Sequence, residues 1–98
     1  MKFLLISRHT GGKQVPDNEK EQNIKDLNEW IALLNASAAL PVKGGMSITL
    51  ESVFEYDGII EGALIFEAET MDEAIAKAKK SPGLKYGWTH DVLKELTF

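Results

Sequence analysis

The side chains best suited to moving a proton near neutral pH are two histidines, His9 and His90. A free imidazole titrates near about pH 6.5, so either can act as acid or base. His9 follows the apolar run Phe3 to Ser7 and precedes Gly11-Gly12. The end of a strand before a glycine loop is a common place for a functional group, although a solvated loop histidine is the plainer reading. His90 stands next to Asp91 in a run that reads as a strand. Neighbouring strand residues point to opposite faces, so the two cannot form a direct dyad, and a structural role for His90 is the plainer reading. Arg8 carries a planar fork that can grip a carboxylate or phosphate; a surface ion pair is its commoner fate. Trp88, just after Gly87, reads as the edge of a pocket. Trp30, at helical spacing, lines either a cleft or the core.

One reading of this set is acid–base chemistry, without a cofactor, on a small polar organic molecule. His9 or His90 transfers the proton, Arg8 orients an anionic group and Trp88 packs against the substrate. The rival reading is a non-catalytic ligand-binding or regulatory module. A third is a purely structural dimer whose cleft is filled by its own side chains. There is no Walker loop, dinucleotide fingerprint or HExxH motif. Two isolated histidines make a weak metal site, so none is expected. Gly11-Gly12 lacks the further Gly or following Lys-Ser/Thr of a phosphate cradle and reads as a turn.

Composition narrows the class further. Ninety-eight residues build one core, so residues 1–98 read as a single domain. A net charge of −4 with scattered Lys and Arg leaves no basic stripe for a phosphate backbone, and no nucleic-acid partner is expected. The absence of cysteine excludes disulfides and thiolate chemistry and suits a reducing cytoplasm, the expected location. Phe3 to Ile6 is too short for a signal peptide. No apolar stretch approaches the roughly 20 residues that span a bilayer, so no membrane association is expected.

These candidate groups must be held by regular elements. Phe3 to Ser7 reads as a strand buried on both faces. A helix follows from near Asp17 or Asn18, where Asn18 and Glu21 suggest a capping box. Ile24, Leu27, Ile31 and Leu34 then recur at helical spacing, and the helix ends before Pro41. After Gly44-Gly45, Met46, Ile48 and Leu50 alternate with polar residues as in a strand. Tyr56-Asp57-Gly58 reads as the turn of a hairpin leading to a strand over Ile59 to Ala68. Thr70-Met71-Asp72-Glu73 is a capping box opening a second helix, which Ser81-Pro82-Gly83 stops. Gly87 to Leu96 forms the last strand. The order β-α-β-β-α-β predicts an α+β, ferredoxin-like fold: a four-stranded antiparallel sheet with two helices on one face.

Helices on one face leave the other bare. Leu4 and Ile6 oppose Phe3 and Leu5, and Ala63 and Ile65 oppose Leu64 and Phe66, so both faces are apolar. Soluble monomers rarely expose such a patch. The expectation is a symmetric homodimer, sheet against sheet.

The chain resembles the YCII-related family and its DGPF-type members. The likeness lies in the opening strand, Trp30, Gly44-Gly45, Tyr56-Asp57-Gly58, the run Phe66 to Ala74, and Ser81-Pro82. Asp57-Gly58 begins the namesake motif but continues Ile59-Ile60-Glu61 rather than Pro-Phe. The resemblance implies a dimeric α+β barrel with a small-molecule cleft. Some family members are proposed to work through a His-Asp pair with the His near the start of the first helix. In this sequence Asn23 stands there, and an amide cannot take that proton at neutral pH. Asn23 is therefore a ligand-binding position rather than a base.

Overall fold

The chain runs β1 (Lys2–His9), α1 (Lys20–Leu34), β2 (Ala38–Pro41), β3 (Met46–Ile48), β4 (Val53–Glu55), β5 (Ile60–Glu67), α2 (Met71–Ala78) and β6 (Trp88–Lys94). Turns of 3-10 helix cover Asp17–Glu19 and Pro82–Tyr86. The computed structural model describes every residue except Thr10, Gly12, Asp57 and Phe98, so part of the Gly11-Gly12 and Tyr56-Asp57-Gly58 turns lies outside the described residues.

The main sheet has the order β2-β5-β1-β6, with every neighbouring pair antiparallel. With α1 and α2 on one face, this is the expected ferredoxin-like α+β fold. The first strand is central and the last lies at an edge. Register places side chains in rows across the sheet, and alternation assigns each row to a face. Under the helices lie Phe3 and Phe66, then Val92, Leu5, Leu64 and Ala39, then His90, Ser7, Gly62 and Pro41. Phe3, Leu5, Leu64 and Phe66 pack with Trp30 and Leu34 of α1 and Ala74 and Ala78 of α2 as the core. The opposite face carries Leu93, Leu4, Ile65 and Ala38, then Asp91, Ile6, Ala63 and Leu40. No helix covers it.

Three local expectations need correction. The second strand of the main sheet is Ala38–Pro41, not Met46 to Leu50. The alternation at Met46 is real, but it builds β3, which pairs only with β4 in a separate two-stranded sheet. Thr49 and Ser52 close that hairpin: the Thr49 N–H donates to the Ser52 carbonyl at 2.8 Å and the Ser52 N–H to Thr49 Oγ1 at 3.0 Å. The hairpin turn therefore falls there, ahead of the Tyr56-Asp57-Gly58 segment, whose Asp57 lies outside the described residues. Third, the Asn18–Glu21 box does not form; the 3-10 turn precedes α1, whose N-cap is Glu19 without a side-chain bond. Among the described residues, no helix is long and apolar enough to cross a membrane.

The hydroxyl half of the second capping box forms as expected, and the Glu73 carboxylate reaches one residue beyond the cap. Thr70 Oγ1 accepts the Glu73 N–H at 3.1 Å, and Glu73 Oε2 reaches back to the Glu69 N–H at 3.0 Å. Glu73 also pairs with Lys77 at 3.1 Å. The Glu69 amide foremost, and then Lys77, hold the Glu73 carboxyl below its ordinary range. Thr70→Ala should cost about 1 kcal/mol in urea unfolding, because it strands the Glu73 amide in the first turn of α2.

Candidate functional site

The polar row His90–Ser7–Gly62–Pro41 interrupts an otherwise apolar helix-facing surface. The His90 ring lies between two hydroxyls: Nδ1 is 3.0 Å from Ser7 Oγ, and Nε2 is 2.8 Å from Ser81 Oγ. Ser81 is buried, caps the Pro82–Tyr86 turn and accepts the Gly83 N–H at 3.2 Å. Its own hydrogen is thus free to point at Nε2, leaving Nδ1–H to donate to Ser7. Reversing both hydroxyls gives the other tautomer. A proton entering at one hydroxyl can therefore leave at the other.

Trp30 forms the roof. Its ring stacks on His90 with centroids 5.4 Å apart and 15° between planes. Its indole N–H donates to the Lys77 carbonyl at 3.0 Å, fixing the ring between α1 and α2. Burial pushes the His90 imidazole below its ordinary range, and the nearby Asp91 carboxylate offsets this only in part. His90 is therefore neutral at pH 7, the form that can accept a proton.

This depressed value makes a stability prediction. Below about pH 6.5 the unfolded chain protonates this ring while the folded chain resists, so acid favours unfolding until pH falls below the folded value. Wild-type stability should therefore decline more steeply from pH 7 to pH 5 than that of His90→Gln, as measured by urea titration.

Asn23 lies on the face of α1 that carries Trp30, two turns before it. Its Oδ1 is buried with no hydrogen-bond partner among the described residues. A buried acceptor left unpaired costs about 1–3 kcal/mol, so this oxygen is a ready seat for a ligand donor.

His9 has a different set of contacts. Its Nε2 lies 2.9 Å from both the Lys13 and Tyr86 carbonyls and so carries the hydrogen and donates. Its ring packs on Trp88 at 5.0 Å. His9 thus ties the loop after β1 to the Pro82–Tyr86 turn and is half-buried rather than solvated. Gly87 makes this approach possible: its φ is 86°, and a Cβ there would stand 3.1 Å from the Gly11 carbonyl. Both histidines face the helices, yet each ring packs against a different tryptophan, His90 stacked and His9 tilted.

Arg8 is not brought to either ring. It lies on the uncovered face, where Nε and Nη2 grip Asp91 Oδ2 and Oδ1 at 2.6 and 3.0 Å. That fork is filled, so the expected role as an anion clamp beside the histidines has no geometric support. Trp88 faces the helices, but it packs against His9 rather than His90.

A cavity of about 460 Å³ opens along the free edge of β6, walled by Met71, Ile75, Leu84 and Val92 and reached by His90 and Lys79. Among the described residues, no group of three or more His, Asp or Glu could hold a metal.

Ser7 and Ser81 were not singled out in the sequence. Ser7 carried a signal, since the two-residue period running Phe3–Leu5–Ser7 places a hydroxyl on the core face. Ser81 read only as a helix stop.

Comparison with solved structures finds a similar chain in 5-chloro-2-hydroxyhydroquinone dehydrochlorinase (TftG) from Burkholderia phenoliruptrix AC1100, in complex with 2,5-dihydroxybenzoquinone. The two share 22% identity over 98% of this chain and 94% of that one, with a TM-score of 0.61. This likeness supports the fold. No family model and no curated protein matches the chain.

Proposed function

We propose that this chain is a YCII-related, single-domain cytoplasmic homodimer that binds a small polar organic molecule and moves a proton on it without a cofactor. The observation that carries this reading is the Ser81–His90–Ser7 hydrogen-bond chain under Trp30. His90, neutral and half-buried, is the proton-transfer group. Ser7 presents the proton to the ligand, because Gly62 opposite it has no side chain in the way. Ser81 orients the ring from behind, and the Asn23 carboxamide oxygen accepts a ligand hydroxyl. His9 and Trp88 pack together one row further along the sheet, while Arg8 serves the dimer face through its pair with Asp91. The bound 2,5-dihydroxybenzoquinone of the neighbouring structure suggests a planar, hydroxylated and acidic ligand.

A non-catalytic binding module is the second reading. It is favoured by Asn23 standing where the resembled family has its histidine. The two readings part at Ser7: in the first its hydroxyl bonds the ligand and delivers the proton, and in the second it only bonds the ligand.

The test is thermal shift with 2,5-dihydroxybenzoquinone and small aromatic carboxylates. A ligand that binds the folded state raises Tm by mass action. The expected result is a rise in wild type that Asn23→Ala and Ser7→Ala each reduce. A panel that leaves Tm unchanged, or a rise indifferent to both variants, contradicts the site.

A further inference from the structure

The β3–β4 hairpin is the least accounted-for part of the molecule. Met46, Ile48, Leu50, Val53 and Phe54 are all exposed, and none joins the core. An isolated two-stranded hairpin is at best marginally stable in water, so these side chains need a surface. The same chain carries an unfilled counterpart. Among the described residues β6 pairs only with β1, which leaves its outer backbone edge open, and the cavity along that edge is walled by Met71, Ile75, Leu84, Val92 and Leu93.

Resting on the sheet-to-sheet dimer proposed above, we infer that the β3–β4 hairpin is an arm that docks in the β6–α2 groove of a second copy and closes the site beside His90. Three observations select a second copy. Arm and groove belong to one chain, so a two-fold axis lets each copy give an arm and receive one. The apolar surface is continuous: the hairpin follows β2, whose Leu40 joins Ile6 and Ala63 on the uncovered face, and Leu93 belongs to both that face and the groove. The charges also match. Residues 46–55 carry Glu51 and Glu55 and no cation, whereas the groove offers Lys79, with Asp91 already neutralised by Arg8. Since His90 lines the groove, the docked arm lies against the ring that the proposed site uses and couples dimerisation to its surroundings.

The cysteine-free sequence permits a clean test by disulfide trapping. Phe54→Cys on the arm and Leu84→Cys in the groove are made as separate variants and mixed under mild oxidation, with Lys25→Cys on the solvent side of α1 as control. Sedimentation of the wild type is measured alongside. The inference predicts a wild-type dimer and a covalent F54C–L84C heterodimer at least about tenfold more abundant than F54C–K25C, because docking raises the local thiol concentration. A wild-type dimer whose F54C links no better to L84C than to K25C overturns the arm and leaves the sheet-to-sheet dimer standing. A wild-type monomer overturns both.

Discussion

Leu4→Lys should convert a dimer into a monomer. Leu4 lies mid-row on the uncovered face, flanked across the strands by Leu93 and Ile65, with Ala38 beyond. No acidic residue stands in that row. In a sheet-to-sheet dimer the new ammonium would be buried without a partner, which costs several kcal/mol. Association should weaken by about a thousandfold, or ~4 kcal/mol. In the separated subunit Leu4 is already 36% exposed, so a lysine there can extend into water and the fold should survive. Sedimentation velocity reads the result: wild type as a dimer, L4K as a folded monomer. An L4K protein that still sediments with wild type places the interface elsewhere.

Phe66→Ala carries the largest expected loss of stability within one subunit. Phe66 is fully buried, and its ring lies 5.9 Å from that of Phe3 across the β1–β5 pair. Removing it forfeits the transfer free energy of the ring and leaves a cavity between the sheet and helices, at a cost of about 3–5 kcal/mol. Small domains hold only about 5–15 kcal/mol in total, so a fifth or more of the stability is at stake. In urea the midpoint should fall with little change in slope, since the unfolded surface is almost unchanged. A loss under about 1 kcal/mol would mean that the core is not packed around this ring.

Much of the fold was legible because its signals are local. The Thr70–Glu73 box opens α2 where a capping box should, and the apolar run at Phe3 forms the central strand. The second strand of the main sheet was not legible. Ala38–Pro41 is four residues ending in proline, too short and too plain to register as a strand, and proline is tolerated there because β2 is an edge. Met46, Ile48 and Leu50 offered a stronger alternation nearby. A two-residue period reveals a strand but not its partner, and this one pairs with β4 outside the main sheet.

The site divides along the same line. His90 was visible as a residue type, and Asn23 as a departure from the resembled family. The hydroxyls at Ser7 and Ser81 gain meaning only through register: the β1–β6 pairing sets Ser7 opposite His90, and the 3-10 turn after α2 brings Ser81 to the other ring nitrogen. Arg8 and Asp91 likewise meet because they are diagonal neighbours on one face of adjacent strands, which spends the arginine on an internal pair. Long-range register is decided by packing of the whole sheet and leaves no local mark.

The proposed working group of the ligand site is His90, held between Ser7 and Ser81. Nitrogen-resolved NMR of the histidine rings, followed through pH with and without 2,5-dihydroxybenzoquinone, tests it most directly. The prediction is a His90 ring that is neutral at pH 7, titrates below about 6.5 and shifts at both ring nitrogens when the quinone is added. A ring that titrates at its ordinary value and ignores the quinone would contradict it.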